Sequence, residues 1–137
     1  MLLVKTKIKP SKIHGIGLFA DQFIPKGMIV WRFTPGFDLE VSKKALLKLS
    51  KPSREQFFNY CYQDYKTRKY ILNFDDARFF NHSEKPNTRD IRPIDSSLVG
   101  SEMIAIKDIK NGEEITYNYK EEDIDYNRKF GIRENFK

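Results

Sequence analysis

Apolar and polar positions alternate from the first residues onward. Leu2, Val4, Thr6 and Ile8 interleave with Leu3, Lys5, Lys7 and Lys9, the period of two of a half-buried strand, which Pro10-Ser11 ends. Pro25-Lys26-Gly27 reads as a turn, with proline presetting the first corner and glycine free to take positive φ, and Met28 to Phe33 then predicts a buried strand. The middle of the chain changes character. Ser42 can cap a helix over 43–49, and Ser53 with Gln56 forms a capping-box pattern after Pro52, leading into Phe57, Phe58, Tyr60 and Cys61. These signals predict a two-helix insert over 38–66. Tyr70 to Phe74 and Glu102 to Ile109 read as further strands, Glu84 to Ser97 as a polar loop between them, and Asn111-Gly112 as a hairpin turn. Residues 120–137 are charged yet carry Ile124, Tyr126, Phe130, Ile132 and Phe136, which predicts a segment that docks rather than a solvated tail.

A chain of 137 residues without repeats or a linker suits one domain. The lysines that cut off Met1-Leu2-Leu3-Val4 leave no apolar block long enough for a signal peptide or a membrane span, so an intracellular protein is expected. The single cysteine, Cys61, excludes an internal disulfide and a multi-cysteine zinc site, and the two histidines cannot replace one, so no metal is expected. The net charge of +6 comes from 25 basic residues scattered among 19 acidic ones. Without clustering on one element it favours solubility over nucleic acid as the main partner. Oligomeric state stays open, a dimer included.

Three motifs carry the chemistry. Gly15-Ile16-Gly17-Leu18-Phe19-Ala20 matches the dinucleotide fingerprint in letters, but that fingerprint must open a helix, and Pro25 and Gly27 interrupt the chain before a strand. The glycines still let backbone pass close to a strand or a ligand. In Arg78-Phe79-Phe80-Asn81-His82-Ser83-Glu84-Lys85-Pro86-Asn87 an amide and an imidazole follow a strand-like stretch, able to bond a heteroaromatic edge or a carboxylate. Gly112-Glu113-Glu114-Ile115-Thr116-Tyr117-Asn118-Tyr119 sets two tyrosines at alternate positions, on one face of an extended segment.

In this order, from about Lys12 to Tyr119, the motifs resemble those of the SET-domain family of protein-lysine methyltransferases. The resemblance implies a mainly β fold of small curved sheets, the SET or β-clip fold, with a short two-helix insert and a C-terminal segment threaded beneath the Asn81-His82 loop. Such threading is rare among folds. It implies S-adenosylmethionine as cofactor, held by His14, Gly15, Ile16, Gly17 and Leu18, by Tyr70 and Arg78, and by Asn81 and His82. It implies a lysine-bearing protein or peptide substrate, histone tails among the candidates. Tyr119 falls on the family's catalytic tyrosine, and Tyr117 on the position that sets how many methyl groups fit. Glu84 stands where many relatives have cysteine, and no Cys-x-Cys follows the last motif. The apolar tail is therefore expected to close the site, with Phe130 or Phe136 as its lid aromatic. Phe33-Thr34-Pro35-Gly36 replaces the family's Tyr-x-Gly-Glu, so Phe33, Tyr60, Tyr62 or Tyr65 is expected beside Tyr117 and Tyr119 in the substrate channel. A silent SET-like module that binds a peptide without methyl transfer is the alternative.

Overall fold

A computed structural model of the chain describes residues 1–91, 101–123 and 126. Along it run β1 (Thr6–Pro10), β2 (Ile16–Ala20), β3 (Ile29–Arg32), β4 (Leu39–Val41), α1 (Lys43–Leu46), α2 (Lys51–Tyr60), β5 (Cys61–Gln63) and β6 (Tyr70–Leu72). A 3-10 turn, Asp76–Phe79, precedes β7 (Asn81–His82), β8 (Thr88–Ile91), β9 (Glu102–Ala105), β10 (Thr116–Tyr117) and α3 (Tyr119–Glu122). The strands form four small sheets, ordered β1-β2, β3-β9-β8, β4-β6-β5 and β7-β10, all antiparallel except the last.

Local signals explain most of these elements, and several expectations need correcting. The first strand starts at Thr6, because Leu2 pairs with Trp31 and donates its N–H to Asp75 at 2.6 Å, while the Met1 α-amine binds the buried Asp38 carboxylate. Ser42 caps α1 as expected, accepting from the Ala45 N–H. The cap of α2 is Ser50, not Ser53, whose own N–H donates to the Ser50 hydroxyl. Pro52 therefore sits in the first turn, where no N–H is required. The insert is bracketed by β4 and β5, which pair with the two edges of β6, so it belongs to a sheet. The expected polar loop contains β8, whose Arg89 and Asp90 mask a strand that is paired along its length with β9. Asn111-Gly112 does turn the chain, with Gly112 at φ +86 and the Glu113 N–H bonded to the Lys110 carbonyl, but among the described residues no strand ladder runs on from the turn. Ile109 instead exchanges hydrogen bonds with Ile24, and Glu114 bridges Phe19.

The main core gathers Leu18, Ile24, Val30, Ile109 and Ile115, all fully buried, around the junction of these sheets. Each such side chain contributes about 1.5–3 kcal/mol by leaving water. A second cluster of Leu46, Cys61 and Tyr70, with Phe57 and Phe58 against it, fixes the helical insert on the β4-β6-β5 sheet.

Residues 114–117 are gripped from both sides. Ile115 donates to the Leu18 carbonyl at 2.7 Å, while Thr116 and Tyr117 lie parallel to Asn81 and His82. The Asn87 side chain accepts from the Thr116 N–H and donates to the Glu114 carbonyl, and Thr88 caps the Thr116 carbonyl. Both ends of the 81–88 loop thus close around one short extended segment.

Candidate active site

The three motifs meet at one cavity of about 770 Å³, within the usual range for small-molecule sites. One wall is the Ile13–Ile16 loop. Another is the end of α2 with β5, from Phe58 to Tyr62. A third runs from Ala77 through His82, and Tyr117 and Tyr119 complete the front. The inner face of the β3-β9-β8 sheet, with Trp31, Met103 and Asp90, closes the back.

A buried polar clamp shapes the first wall. The Asn81 amide donates to the carbonyls of His14 and Ile16, at 3.1 and 3.2 Å, and to the Glu114 carboxylate at 2.8 Å. Ser11 donates to that same carboxylate, and its backbone N–H holds the Gly15 carbonyl. Gly15 lies at φ +47, a conformation costly for other residues. Gly17 is glycine for a different reason: a Cβ there would collide with the Glu114 carboxylate. Asn81 is thereby spent on holding the loop, which positions that wall instead of leaving the amide free for a ligand.

The tyrosine pair survives a change in backbone. The extended segment ends at Tyr117, Asn118 caps α3 by accepting from Lys120 N–H, and Tyr119 opens that helix. The two rings nevertheless pack with centroids 4.5 Å apart. The Tyr119 hydroxyl donates to the Phe80 carbonyl, and its backbone N–H donates to His82 Nδ1 at 3.1 Å, which leaves the imidazole proton on Nε2. Burial, reinforced by the Asp123 carboxylate, raises the Tyr119 pKa well above the ordinary value near 10. Burial does the same to Tyr62, where the hydrogen bond from Ser101 works against the shift and Asp90 adds to it. Both phenols are neutral at physiological pH. Since the folded state keeps these protons longer than the unfolded chain, their contribution to stability is intact below about pH 10 and fades as pH rises beyond it. The melting temperature of the wild type should therefore fall more steeply between pH 9.5 and 11, on the order of the range set by tyrosine titration, than that of the Tyr119→Phe variant. Parallel slopes would contradict the assignment.

Glu84 and Lys120 form an exposed pair at 2.5 Å, each holding the other charged, so Glu84 links the Asn-His loop to the start of α3. An exposed pair of this kind guides geometry more than it stabilises. Tyr126, one of the tail's apolar residues named from the sequence, stands against the His82 ring, centroids 5.7 Å apart. Phe130 and Phe136 lie outside the described residues.

Of the expected site residues, His14, Gly15, Ile16, Arg78, Asn81, His82, Tyr62, Tyr117 and Tyr119 line the cavity, as does Tyr60. Four do not. Leu18 is fully buried in the core behind the loop, and Gly17 faces Glu114. Tyr70, on the central strand of its sheet, packs its ring 5.3 Å from Phe58. Phe33 follows the end of β3, where its N–H bonds the Ser101 carbonyl. Its ring joins Ile71 in the core at a much smaller cavity that shares Tyr62 and Ser101 with the first. Tyr65 is exposed and on neither wall. The sequence reading missed the back wall, Trp31, Asn73, Asp90, Ser101 and Met103, and the clamp residues Ser11 and Glu114. Glu114 lay inside a quoted motif; Trp31, the sole tryptophan, was the other available signal.

The SET-domain family model matches residues 15–120, most of the chain and all three motifs. The chain belongs to the SET-domain family. Among its relatives, the mouse histone-lysine N-methyltransferase SETMAR is 35% identical over 116 residues, covering 77% of this chain and 37% of that protein. The SET chain described here thus spans little more than a third of that relative. Solved structures share the fold. A Chaetomium thermophilum polycomb repressive complex 2 bound to GSK126 superposes with TM-score 0.68 at 22% identity, over 93% of this chain and 17% of that one. An active polycomb repressive complex 2 in the basal state gives 0.65 at 24% identity, over 85% of this chain and 15% of that one. Among the described residues no helix is long and apolar enough to cross a membrane.

Proposed function

We propose that this SET domain transfers a methyl group from S-adenosylmethionine to the side-chain amine of a lysine in a protein substrate. The observation that carries the reading is the convergence of the clamped Ile13–Ile16 loop, Arg78 to His82, and the stacked Tyr117 and Tyr119 on one cavity. The lining suits such a cofactor. Arg78, whose guanidinium lies 5.9 and 5.8 Å from the Tyr60 and Phe79 ring centroids, can meet a carboxylate beside flat aromatic surfaces. The His82 edge and the backbone of the loop can bond a heteroaromatic base, and the tyrosine rings can face a sulfonium.

The bound cofactor would supply an electrophilic methyl group, and the residues around it orient the acceptor. A lysine amine, with an ordinary pKa of about 10.4, is almost wholly protonated in water and then has no lone pair. Enclosure in a cavity walled by Phe80, Tyr117 and Tyr119 penalises the charged form and lowers that pKa. Tyr119 is not the base: its proton is committed to Phe80 and its phenol stays neutral. Its oxygen lone pairs remain to accept a polarised C–H or N–H, and the acceptor's proton leaves to solvent. Alignment then does the rest, and positioning of this kind is worth roughly 7–11 kcal/mol of barrier.

Histones are the substrate class that the mouse relative's name suggests. A chain of charge +6 gains no long-range attraction to a basic tail, so any recognition of one must be local. Calorimetry with S-adenosylmethionine, followed by tritium transfer onto peptide arrays, tests the reading. Uptake of cofactor with label on lysine peptides and none on their arginine counterparts is expected. Uptake without label would instead make this a silent binding module, and absence of uptake would end the proposal. Tyr117→Phe, which clears one hydroxyl from the cavity, is expected to move products toward higher methylation; an unchanged mass-spectrometric pattern would contradict that role.

A further inference from the structure

Basic residues that look scattered along the sequence gather at one end of one sheet. Residues 41–54, which include α1 and the start of α2, carry Lys43, Lys44, Lys48, Lys51 and Arg54 and no acidic residue. The turn at 65–69 carries Lys66, Arg68 and Lys69, again with none. Register joins the two segments. Val41 at the exit of β4 pairs with Tyr70 at the entrance of β6, and Gln63 at the exit of β5 pairs with the same Tyr70. Ser42, which caps α1, and the turn between β5 and β6 therefore leave the sheet at the same end, on strands spaced by about 4.8 Å. These eight cations exceed the net charge of +6, so the rest of the chain is net acidic by two.

The cluster is exposed and held in place. From Ser42 to Ser53 only Leu46 is buried, and it anchors α1 in the second core cluster. Arg54 donates to the carbonyls of Leu47 and Leu49, at 3.2 and 3.0 Å, which fixes the connection between the helices. Residues 65–69 are all exposed, and Asp64 closes their turn from inside by accepting from the Thr67 N–H and hydroxyl. The acids that border the cluster are already engaged: Glu40 pairs with Lys69, and Glu55 lies 4.0 Å from Lys51. Among the described residues Lys43, Lys44, Lys48, Lys66 and Arg68 make no ion pair. The other basic stretch, on β1, is different. There Lys7 pairs with Asp21 at 2.8 Å, Lys9 lies over the Phe19 ring, and Glu114 bridges that same phenylalanine.

A field of one sign, unbroken over two elements, fits a uniform polyanion. Lysine predominates in it, and an ammonium is a point charge that meets phosphate without reading sequence. A lipid surface fits less well. α1 is a single turn whose buried leucine is already in the core, so no amphipathic helix lies free to enter a bilayer, and exposed Leu47 and Leu49 offer little apolar area to anchor one.

We propose that this end of the β4-β6-β5 sheet binds the phosphate backbone of double-stranded DNA, independently of base sequence. Its location gives it a use. α2 starts in the cluster and ends at Tyr60 on the cavity wall, and its ten residues span about 15 Å. A polyanion held at the far end attracts the basic segments that a basic chain does not, and so brings a lysine-bearing substrate within one helix length of the cavity. The surface lies apart from the cavity and does not require the methyl-transfer reading.

Fluorescence anisotropy of a labelled duplex of about 20 base pairs, with the full chain and no cofactor, tests the surface across a salt series. About five neutralised phosphates, at about 0.9 each, predict a log–log salt slope of about −4 to −5, an affinity loss of about 10²–10³-fold between about 50 and 200 mM salt. Lys43→Gln, Lys44→Gln and Lys48→Gln together should make the slope shallower by about 3. Lys66→Gln with Arg68→Asn, asparagine being suited to the left-handed φ +59 of that position, should do so by about 2. Lys5→Gln, Lys7→Gln and Lys9→Gln, which remove as much charge from β1 as the first variant does from the cluster, should leave the slope nearly unchanged. The two cluster variants lie on separate elements, so if one fails to fold the other still decides. A flat slope in the wild type, a wild-type slope in a folded cluster variant, or an equal loss in the β1 variant would overturn the surface. So would tighter binding to phosphatidylcholine vesicles with about 30% phosphatidylserine than to the duplex. Calorimetry with S-adenosylmethionine on the same samples keeps the two proposals apart. Cofactor uptake without duplex binding defeats the surface alone, whereas salt-dependent duplex binding without uptake supports the surface and defeats the methyl-transfer reading.

Discussion

Tyr119→Phe is expected to lower the rate of methyl transfer by about 10²–10³-fold, the usual consequence of removing one preorganised polar group from an active site. The ring should stay in place, held 4.5 Å from Tyr117 and 5.4 Å from His82 by contacts that do not involve the hydroxyl. The backbone N–H of residue 119 also keeps its bond to His82 Nδ1. What disappears is the phenol oxygen proposed to face the acceptor, together with its bond to the Phe80 carbonyl. Leaving that carbonyl unmet costs about 1–3 kcal/mol, enough to lower the melting temperature by several degrees without unfolding the domain. Single-turnover transfer with saturating cofactor, alongside a far-ultraviolet circular dichroism spectrum, separates the two effects. Full turnover in a folded variant would remove Tyr119 from the chemistry.

That result is expected because the tyrosines and the Asn-His loop are held by each other. β7 and β10 are only two residues long and parallel, a pairing too short to persist alone. It is stable because Asn87, Thr88 and the Leu18 carbonyl bind the same four-residue segment from neighbouring elements. The consequence for function is that a disturbance in the loop reaches the tyrosines directly through backbone hydrogen bonds.

Much of this was legible in the sequence, for reasons that differ by element. Ser42 and the apolar run near Ile29–Arg32 are local signals with local outcomes, and both appear where expected. The three motifs were legible because their residue types are chemically unusual together, and the mainly β fold they implied is the fold observed. β8 was hidden because an edge strand can carry Arg89 and Asp90 toward solvent or a cavity, which erases alternation. The hairpin expected at Asn111-Gly112 failed because turn chemistry fixes only the reversal, while Ile24 and Phe19 outcompeted the local partner. The back wall was illegible for a related reason. Trp31, Asn73 and Asp90 come from three separate strands or their ends, and only register and a bulge put them on one surface.

Gly17→Ala is expected to be the most damaging small substitution in the chain. Gly17 takes an ordinary extended conformation within β2, so backbone strain is not the cause. Its Cβ would press on the Glu114 carboxylate, meeting Cδ at 2.8 Å and the Ser11 Cβ at 3.0 Å. Glu114 has no easy retreat, because Ser11 and Asn81 both donate to it and its backbone carbonyl is bound by Asn87. Moving the carboxylate would unseat the Asn81 amide, and with it the carbonyls of His14 and Ile16 that shape the cavity wall. Overpacking of this kind costs about 1–3 kcal/mol, and the lost hydrogen bonds add to it. Chemical denaturation should show that loss, and calorimetry should show cofactor affinity falling by about tenfold or more in whatever remains folded. Pairing the substitution with Glu114→Ala makes the cause testable. If the collision is responsible, the double variant should be less unstable than the sum of the two single variants, since each removes the same clamp once. Strict additivity would mean that Gly17 is needed for something other than room for Glu114.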